Sequence, residues 1–225
     1  MTKNAKPLET RWYDDACGTA HALELVGERW ALLVVRELVF GPRRFGELRA
    51  SLPGISANVL TQRLEGLERA GILKRKPLPA PQKAQLYELT PWGYESEPIL
   101  QVMGRWAARS PQHDATLPLS PSSILMSFRT MIDVSRASTF SGTFGFRFAD
   151  ETFHARLEGG NLAVRRASID DVDVAFTTDP MTLAGVVYGG LAFAEAEAAG
   201  TFAVTGNRTL ARRFLSLFHL PPKAT

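Results

Sequence analysis

The sequence predicts an α+β protein of two domains, a mostly helical first half followed by a mixed second half. Its 225 residues are enough for two modest hydrophobic cores. Residues 110–123, SPQHDATLPLSPSS, are rich in Pro and Ser and lack apolar periodicity, which is typical of a linker. Apolar residues recur at helical spacing before this segment and alternate as in strands after it. We therefore expect a first domain over residues 1–111, a linker over 112–121 and a second domain over 122–225.

A first apolar helix is predicted over residues 28–40, and the Gly41-Pro42 pair ends it. A shorter helix over residues 45–52 follows. Four apolar side chains of the first helix fall on one face, at positions i, i+3, i+4 and i+8: Trp30, Leu33, Val34 and Leu38.

A third helix begins after the turn PGIS, where Ser56 can accept a hydrogen bond from a free backbone N–H as an N-cap. Leucines of residues 57–70 recur at helical spacing and face inward, while polar residues share another face. Gly71 ends this helix. The polar residues are Asn58, Thr61, Gln62 and Glu65. A short helix, a tight turn and a helix with a polar face predict a helix-turn-helix.

Two β-like segments follow, residues 72–76 and 85–90, and a Pro-rich stretch with a basic tip separates them. Such a hairpin after a helix-turn-helix is a wing. Thr90 and Pro91 then supply the N-cap and first residue of a last helical segment. Its apolar face carries Ile99, Met103 and Trp106. The first domain is thus predicted to be a winged helix-turn-helix, mostly α with a β-hairpin wing.

Positive charge is concentrated around this motif. Residues 1–111 carry 16 Lys and Arg against 12 Asp and Glu, whereas residues 112–225 carry 10 against 11. Within residues 43–83 the numbers are nine against three. A basic surface of this kind is typical of phosphate binding, although a solvated basic face would have the same composition.

The third helix carries side chains that can read base edges, because amides pair with adenine and guanidinium groups pair with guanine. The residues expected at the DNA on this helix are Ser56, Asn58, Thr61, Gln62 and Arg63. Positioning contacts to phosphates are expected from Arg43, Arg44, Gln82 and Lys83. An ordinary helical bundle with polar residues facing water is the alternative, but the order of elements favours DNA binding.

The run HALELVGERWALLVVRELVFGPRRFGELRASLPGISANVLTQRLEGLERAGIL, with YELTPWG downstream, resembles the HxlR family of bacterial winged helix-turn-helix regulators. The similarity covers roughly residues 15–108, and WxLLxxRE, GPRRFxEL and LPGISxxVLTQRLxxLE carry it. The resemblance implies a homodimer built from the first and last helices of this domain, bound to an inverted repeat in double-stranded DNA. It leaves open whether the protein is a repressor or an activator.

Cys17 is the only cysteine and lies where many members of this family carry one that in some of them senses oxidants or electrophiles. No cation neighbours it in the sequence, and Asp14 and Asp15 would raise its pKa, which disfavours the reactive thiolate. We therefore expect an unreactive cysteine packed at the dimer-forming helix, with redox sensing as the weaker alternative.

The second half begins with a clear strand, FSGTFGFRF, whose apolar residues alternate. Three more β-like runs follow: ETFHARL, NLAVRR and VDVAFTT. Asp179-Pro180 opens the helix MTLAGVVYG, a short helix precedes Gly200, and TFAVTG and NRTLARRFLSLF supply a last strand and helix. These patterns predict an α+β domain.

The run from VAFTTDPMTLAGVVYGG to the end of NRTLARRFLSLF resembles the sterol-carrier-protein fold, which encloses an apolar tunnel, over about residues 122–222. The resemblance implies a pocket for a small apolar ligand, and we expect Arg147, Tyr188 or Thr182 at its mouth to orient a head group. We expect most candidate lining residues to be core and a minority to face a cavity. The candidates are Phe144, Phe146, Phe153, Phe176, Thr182, Leu183, Val187, Tyr188, Phe193, Phe214 and Phe218.

Catalysis, cofactors and metal binding have little support in the sequence. The four histidines lie far apart and lack metal-ligand spacing, and there is no G-x-S-x-G elbow or phosphate loop. No membrane span or secretion signal is recognisable, so we expect a cytoplasmic protein that is not an enzyme. Three functions stay open: a ligand-responsive DNA-binding regulator, a constitutive regulator whose second half is structural or dimerising, and, less favoured, a lipid carrier.

Overall fold

The computed structural model describes residues 13–77 and 85–225. The helices of the first half are α1 (Gly18–Val26), α2 (Ala31–Leu38), α3 (Phe45–Ser51), α4 (Ala57–Arg69), α5 (Pro91–Tyr94) and α6 (Glu97–Ala108). Its strands are β1 (Arg43–Arg44), β2 (Leu73–Pro77) and β3 (Gln85–Leu89), which form an antiparallel sheet in the order β1-β3-β2. The predicted helix-turn-helix and hairpin are therefore confirmed, and β1 is an additional strand of the wing.

The predicted helix caps of this half are also confirmed. The Ser56 side chain accepts a hydrogen bond from the backbone N–H of Val59 at the start of α4. Thr90 accepts one from the backbone N–H of Gly93 at the start of α5, which has proline in its first turn. Both signals are local in sequence, because a cap and the N–H that it satisfies lie three residues apart.

The apolar stripe predicted for the first helix is wrong in part. Trp30 precedes α2 with a φ of 79°, in the left-handed region, so α2 begins only at Ala31. The buried face of α2 therefore includes Val34, Val35 and Leu38, while Leu33 is 38% exposed. That face packs against the inward leucines of α4.

The second half is a five-stranded sheet with helices. Its strands are β4 (Gly142–Phe148), β5 (Glu151–Glu158), β6 (Asn161–Arg166), β7 (Val174–Thr178) and β8 (Phe202–Gly206), in the order β6-β5-β4-β7-β8. Its helices are α7 (Pro121–Met131), α8 (Val134–Ala137), α9 (Pro180–Tyr188), α10 (Phe193–Ala198) and α11 (Arg208–Leu215). Strands β4 and β7 are parallel and the other pairs are antiparallel. The α+β prediction is confirmed, although α7 and α8 were not predicted.

The interior of this half is filled by aromatic side chains. The rings of Phe144 and Phe214 stack with centroids 3.8 Å apart, and those of Phe128 and Phe218 stack at 4.2 Å. Seven of the predicted tunnel residues lie in this packed core: Phe144, Phe146, Phe153, Phe176, Leu183, Phe214 and Phe218. Most of the candidates are therefore core residues, as expected, because strand alternation shows which side chains turn inward but not whether space remains between them.

The other four predicted tunnel residues are only partly buried, and three of them are held by polar or cationic neighbours. Thr182 donates a hydrogen bond to the Asp179 carboxylate at the start of α9, and the Tyr188 hydroxyl lies 2.9 Å from that of Ser127. Phe193 packs beneath the guanidinium groups of two α11 arginines. Val187 packs on the core from α9. Among the residues that the structure describes, no helix is long and apolar enough to cross a membrane.

Candidate nucleic-acid interface

Helix α4 presents a polar face to solvent. Asn58, Thr61 and Gln62 are exposed, on the face opposite the buried leucines of the same helix. The Thr61 hydroxyl donates to the carbonyl oxygen of Ala57 at 3.0 Å, so it also has a partner within the helix. This face has the amide and hydroxyl groups that major-groove recognition uses.

Arg63 does not share that open face. Its Nε donates to the carbonyl oxygen of Arg29 at 2.9 Å, and its Nη2 lies 2.6 Å from the Glu28 carboxylate. These contacts fasten α4 to the segment between α1 and α2. The prediction that Arg63 reads a base is therefore corrected: its guanidinium is already held by a carboxylate and a carbonyl, and Asn58, Thr61 and Gln62 remain as candidates.

The sequence prediction that Arg43 contacts a phosphate also fails. It is 3% exposed, and its guanidinium donates to the Glu37 carboxylate at 3.0 Å, to Ser51 at 2.8 Å and to Glu151 at 2.8 Å. A guanidinium that is buried and bonded to two carboxylates and a hydroxyl is not available to a phosphate, so this assignment is wrong. Its neighbour Arg44 is exposed, as predicted for a phosphate contact.

The wing adds basic side chains on the exposed edge of its sheet. Gln82 and Lys83, predicted to reach DNA, lie outside the described residues. On β2, Arg75 pairs with Glu68 at 2.9 Å and Lys74 lies 3.5 Å from Glu88. Lys76 is exposed two residues beyond Lys74, on the same side of the strand. The basic residues of β2 are visible in the sequence, but the predicted DNA contacts did not include Lys76.

The face of α6 turned away from the core is apolar. Val102 is 71% exposed and Trp106 is 74% exposed, and Ile99 and Met103 extend the same face. Leu23 of α1 is a further exposed apolar side chain. An exposed stripe of this kind marks a protein interface more often than a solvated surface.

Cys17 is exposed and occupies the N-cap position of α1. Hydrogen bonds from the backbone N–H of Thr19, and then of Ala20, lower the pKa of its thiol. The expectation of a raised pKa is corrected, whereas packing of Cys17 at the dimer-forming helix stays a prediction. The backbone donors at the helix start act directly on the sulfur, which sequence neighbours alone did not reveal.

The two halves are joined by an ionic chain whose central members, Glu37 and Arg43, are buried. Glu37, which is 0% exposed, accepts hydrogen bonds from Arg36, Arg43 and Ser120. Glu151 of β5 bridges Arg43 and Arg166. We call the alternating series Arg36, Glu37, Arg43, Glu151 and Arg166 the interdomain ionic chain. Within the described residues, no cluster of His, Cys, Asp or Glu could hold a metal ion.

Comparison with known proteins agrees with this geometry. Residues 25–115 match the family model described as HxlR-like helix-turn-helix, and residues 110–224 match the one described as alkyl sulfatase C-terminal, which covers about half of the chain.

Three relatives illustrate the first match. The chain is 38% identical over 86 residues to the uncharacterized HTH-type transcriptional regulator YvaP of Bacillus subtilis, covering 38% of this chain and 80% of YvaP. It is 42% identical over 99 residues to the uncharacterized regulator Rv3095 of Mycobacterium tuberculosis, covering 44% of this chain and 61% of Rv3095. The solved reduced form of the transcriptional regulator YodB from B. subtilis is 34% identical, with a TM-score of 0.40, and the match covers 44% of this chain and 98% of YodB.

The order of helices and wing and the exposed polar face of α4 agree with the family-model matches and with the sequence identity to YvaP. The chain therefore belongs to the HxlR-like family of helix-turn-helix transcriptional regulators, and its second half belongs to the alkyl sulfatase C-terminal family.

Proposed function

We propose that this regulator acts in the cytoplasm as a homodimer that binds an inverted repeat in double-stranded DNA, without catalysis. The observation that carries the proposal is the exposed polar face of α4. Asn58, Thr61 and Gln62 would enter the major groove, while Arg44 and the basic wing, including Lys76, would contact phosphates.

The exposed apolar face of α6 supports the dimer. The second half packs on another side of this helix: Arg105 donates to the Thr130 carbonyl at 3.0 Å, and Arg129 lies 3.0 Å from Glu97. The stripe around Val102 and Trp106 is left open for a second copy. Two-fold pairing of such a surface would place two α4 helices on one face of the DNA.

In vitro selection of duplexes with the full-length protein, followed by fluorescence anisotropy, tests this proposal. Gln62→Ala should lose about 1–3 kcal/mol of discrimination between the selected site and a random duplex. Gln112→Ala, the same change at an exposed position far from α4, is the matched control and should leave discrimination intact. Equal losses on both duplexes for Gln62→Ala would show that α4 does not read the sequence.

The second half has two candidate roles in this function. A constitutive role is supported by the packed aromatic core, in which seven of the eleven candidate tunnel residues are buried. A ligand-responsive role is supported by the direct attachment of the second half to the helix-turn-helix, since Phe40 of the first half accepts a backbone hydrogen bond from Arg166. An effector that changed this attachment would change the position of α2 and α3.

A further inference from the structure

A cleft of about 1190 Å³ lies between the two halves, away from the predicted tunnel. One wall comes from α2, α3 and the wing, and the other comes from the segment before α7 and the turn between β4 and β5. We propose that this cleft binds a small amphipathic anion, a carboxylate with an apolar body. Clefts between domains with apolar walls and a few converging polar groups are the usual form of a ligand site.

The charge of the cleft favours an anion. The interdomain ionic chain contains three guanidinium groups and two carboxylates, so it carries one uncompensated positive charge. Arg36, Arg43 and Arg166 all line the cleft. An excess charge in a poorly solvated site is stabilised by a bound counter-charge much more strongly than the same charge at the surface.

Three further charged groups line the rim: Arg44, Glu47 and Asp150. All three are exposed and together they carry one negative charge, which solvent screens more strongly than the charges of the ionic chain. Burial, and then the nearby charge of Arg43, lower the pKa of Arg166.

Arg36 is the group best suited to contact the anion. Its Nε and Nη2 both donate to Oε1 of Glu37, at 3.1 and 2.9 Å, and its Nη1 makes no hydrogen bond within the described residues. The hydroxyl of Ser123 lines the same cleft in the first turn of α7. A carboxylate placed between Arg36 and Ser123 would neutralise the excess charge.

The apolar part of the cleft would take the body of the ligand. Leu33, Leu86 and Leu119 line it together with Trp30. Leu33 is 38% exposed, which is unusual for a leucine in the middle of a helix that packs on a core. Trp30 holds a left-handed backbone, which is an outlier for a bulky residue and concentrates at functional sites.

A ligand bound in the cleft would lie directly against the DNA-binding elements. Ala50 and Ser51 of α3 line the cleft, and Ser51 also accepts from Arg43 of the ionic chain. A ligand that draws Arg36 toward itself would act through Glu37 on Arg43 and Ser51, and would so shift α3, which precedes the turn into α4. This regulatory consequence rests on the proposed DNA-binding function, whereas binding of the anion does not.

Isothermal titration of the full-length protein without DNA tests the binding. The probes are decanoate, decanol and decyltrimethylammonium, which share one apolar chain and differ in charge. Decanoate should bind about tenfold or more tightly than decanol, because a charge-assisted hydrogen bond is lost in the alcohol, and the cation should bind most weakly. No binding of decanoate, or equal binding of all three, would overturn the proposal.

Two variants locate the site. Arg36→Gln should weaken decanoate about tenfold, whereas Arg165→Gln, next to Arg166 but exposed on the other face of β6, should not. Ala50→Trp should block the cleft without removing a charge, and Ala163→Trp on the exposed face of β6 is its control. Full decanoate affinity in Ala50→Trp would place the ligand elsewhere and refute the assignment.

DNA binding of the same variants is measured separately by anisotropy. If wild type binds its selected duplex but not decanoate, the proposed DNA-binding function holds and the anion site is refuted. If wild type binds decanoate but does not discriminate between DNA sequences, the anion site holds and the proposed function is refuted.

Discussion

The interdomain ionic chain makes a strong prediction about stability, because its central carboxylate is completely buried. We consider Glu37→Gln, which keeps the shape of the side chain and removes its charge. The Glu37 carboxylate accepts two hydrogen bonds from Arg36, one from Arg43 and one from Ser120. In the variant three guanidinium groups would share only the Glu151 carboxylate.

The expected loss follows from burial. Removing one partner of a buried ion pair costs about 3–5 kcal/mol, since it leaves an uncompensated charge in a poorly solvated place. An amide oxygen can still accept one of the hydrogen bonds, so we expect a loss near the lower limit, about 3 kcal/mol. With a urea dependence of about 1–3 kcal/mol per molar, the unfolding midpoint would fall by roughly 1–3 M.

Tryptophan fluorescence during urea unfolding provides the assay. All four tryptophans, at positions 12, 30, 92 and 106, lie in the first half of the chain. Their signal therefore follows unfolding of the DNA-binding half. Far-UV circular dichroism on the same samples follows both halves together.

Glu28→Gln is the matched control, because Glu28 also pairs with an arginine, Arg63 at 2.6 Å, but both side chains are partly exposed. Its loss should be about 1 kcal/mol or less. If Glu37→Gln costs no more than Glu28→Gln, the Glu37 carboxylate is solvated in solution and the two halves are not joined as described.

Three further predictions follow from the interface, the apolar stripe and a buried carboxylate. DNA affinity should fall with salt at a logarithmic slope of about 0.9 per phosphate contacted, and a salt-independent affinity would contradict the basic footprint. Trp106→Glu should convert the proposed dimer to monomer in sedimentation experiments, because it places a charge in the apolar α6 stripe; an unchanged dimer would exclude that stripe as the interface. Burial raises the pKa of Glu97 above its usual value of 4.5, although Arg129 and Gln101 oppose the shift. The folded state therefore binds this proton more tightly than the unfolded chain, and its stabilising contribution is present at low pH and lost as the pH rises through the raised pKa. The unfolding free energy of wild type relative to Glu97→Gln should decrease from about pH 4 to pH 7, and a difference that rises with pH would contradict the assigned direction.

Local signals in the sequence determined most of the elements. Ser56 and Thr90 were recognised as caps because each bonds a backbone N–H three residues ahead. The leucines of α4 and the alternating phenylalanines of β4 were recognised because one face of each element is buried. Helix α7 lacked such a signal, since it is buried on several sides, with Ile124, Leu125, Met126 and Phe128 all inward, and no polar face reveals its period.

Long-range contacts decided what the side chains of those elements do. A basic run beside a helix-turn-helix does not reveal which guanidinium faces solvent, and the partner that buries Arg43, Glu151, is 108 residues away. The pattern of phenylalanines likewise indicated burial, but whether the rings fill the interior depends on how α7 and α11 dock on the sheet. The cleft exists only where α3 and the β4–β5 turn meet across the domain boundary. Periodicity and capping act over a few residues, whereas charge pairing and packing are set by groups that only the folded chain brings together.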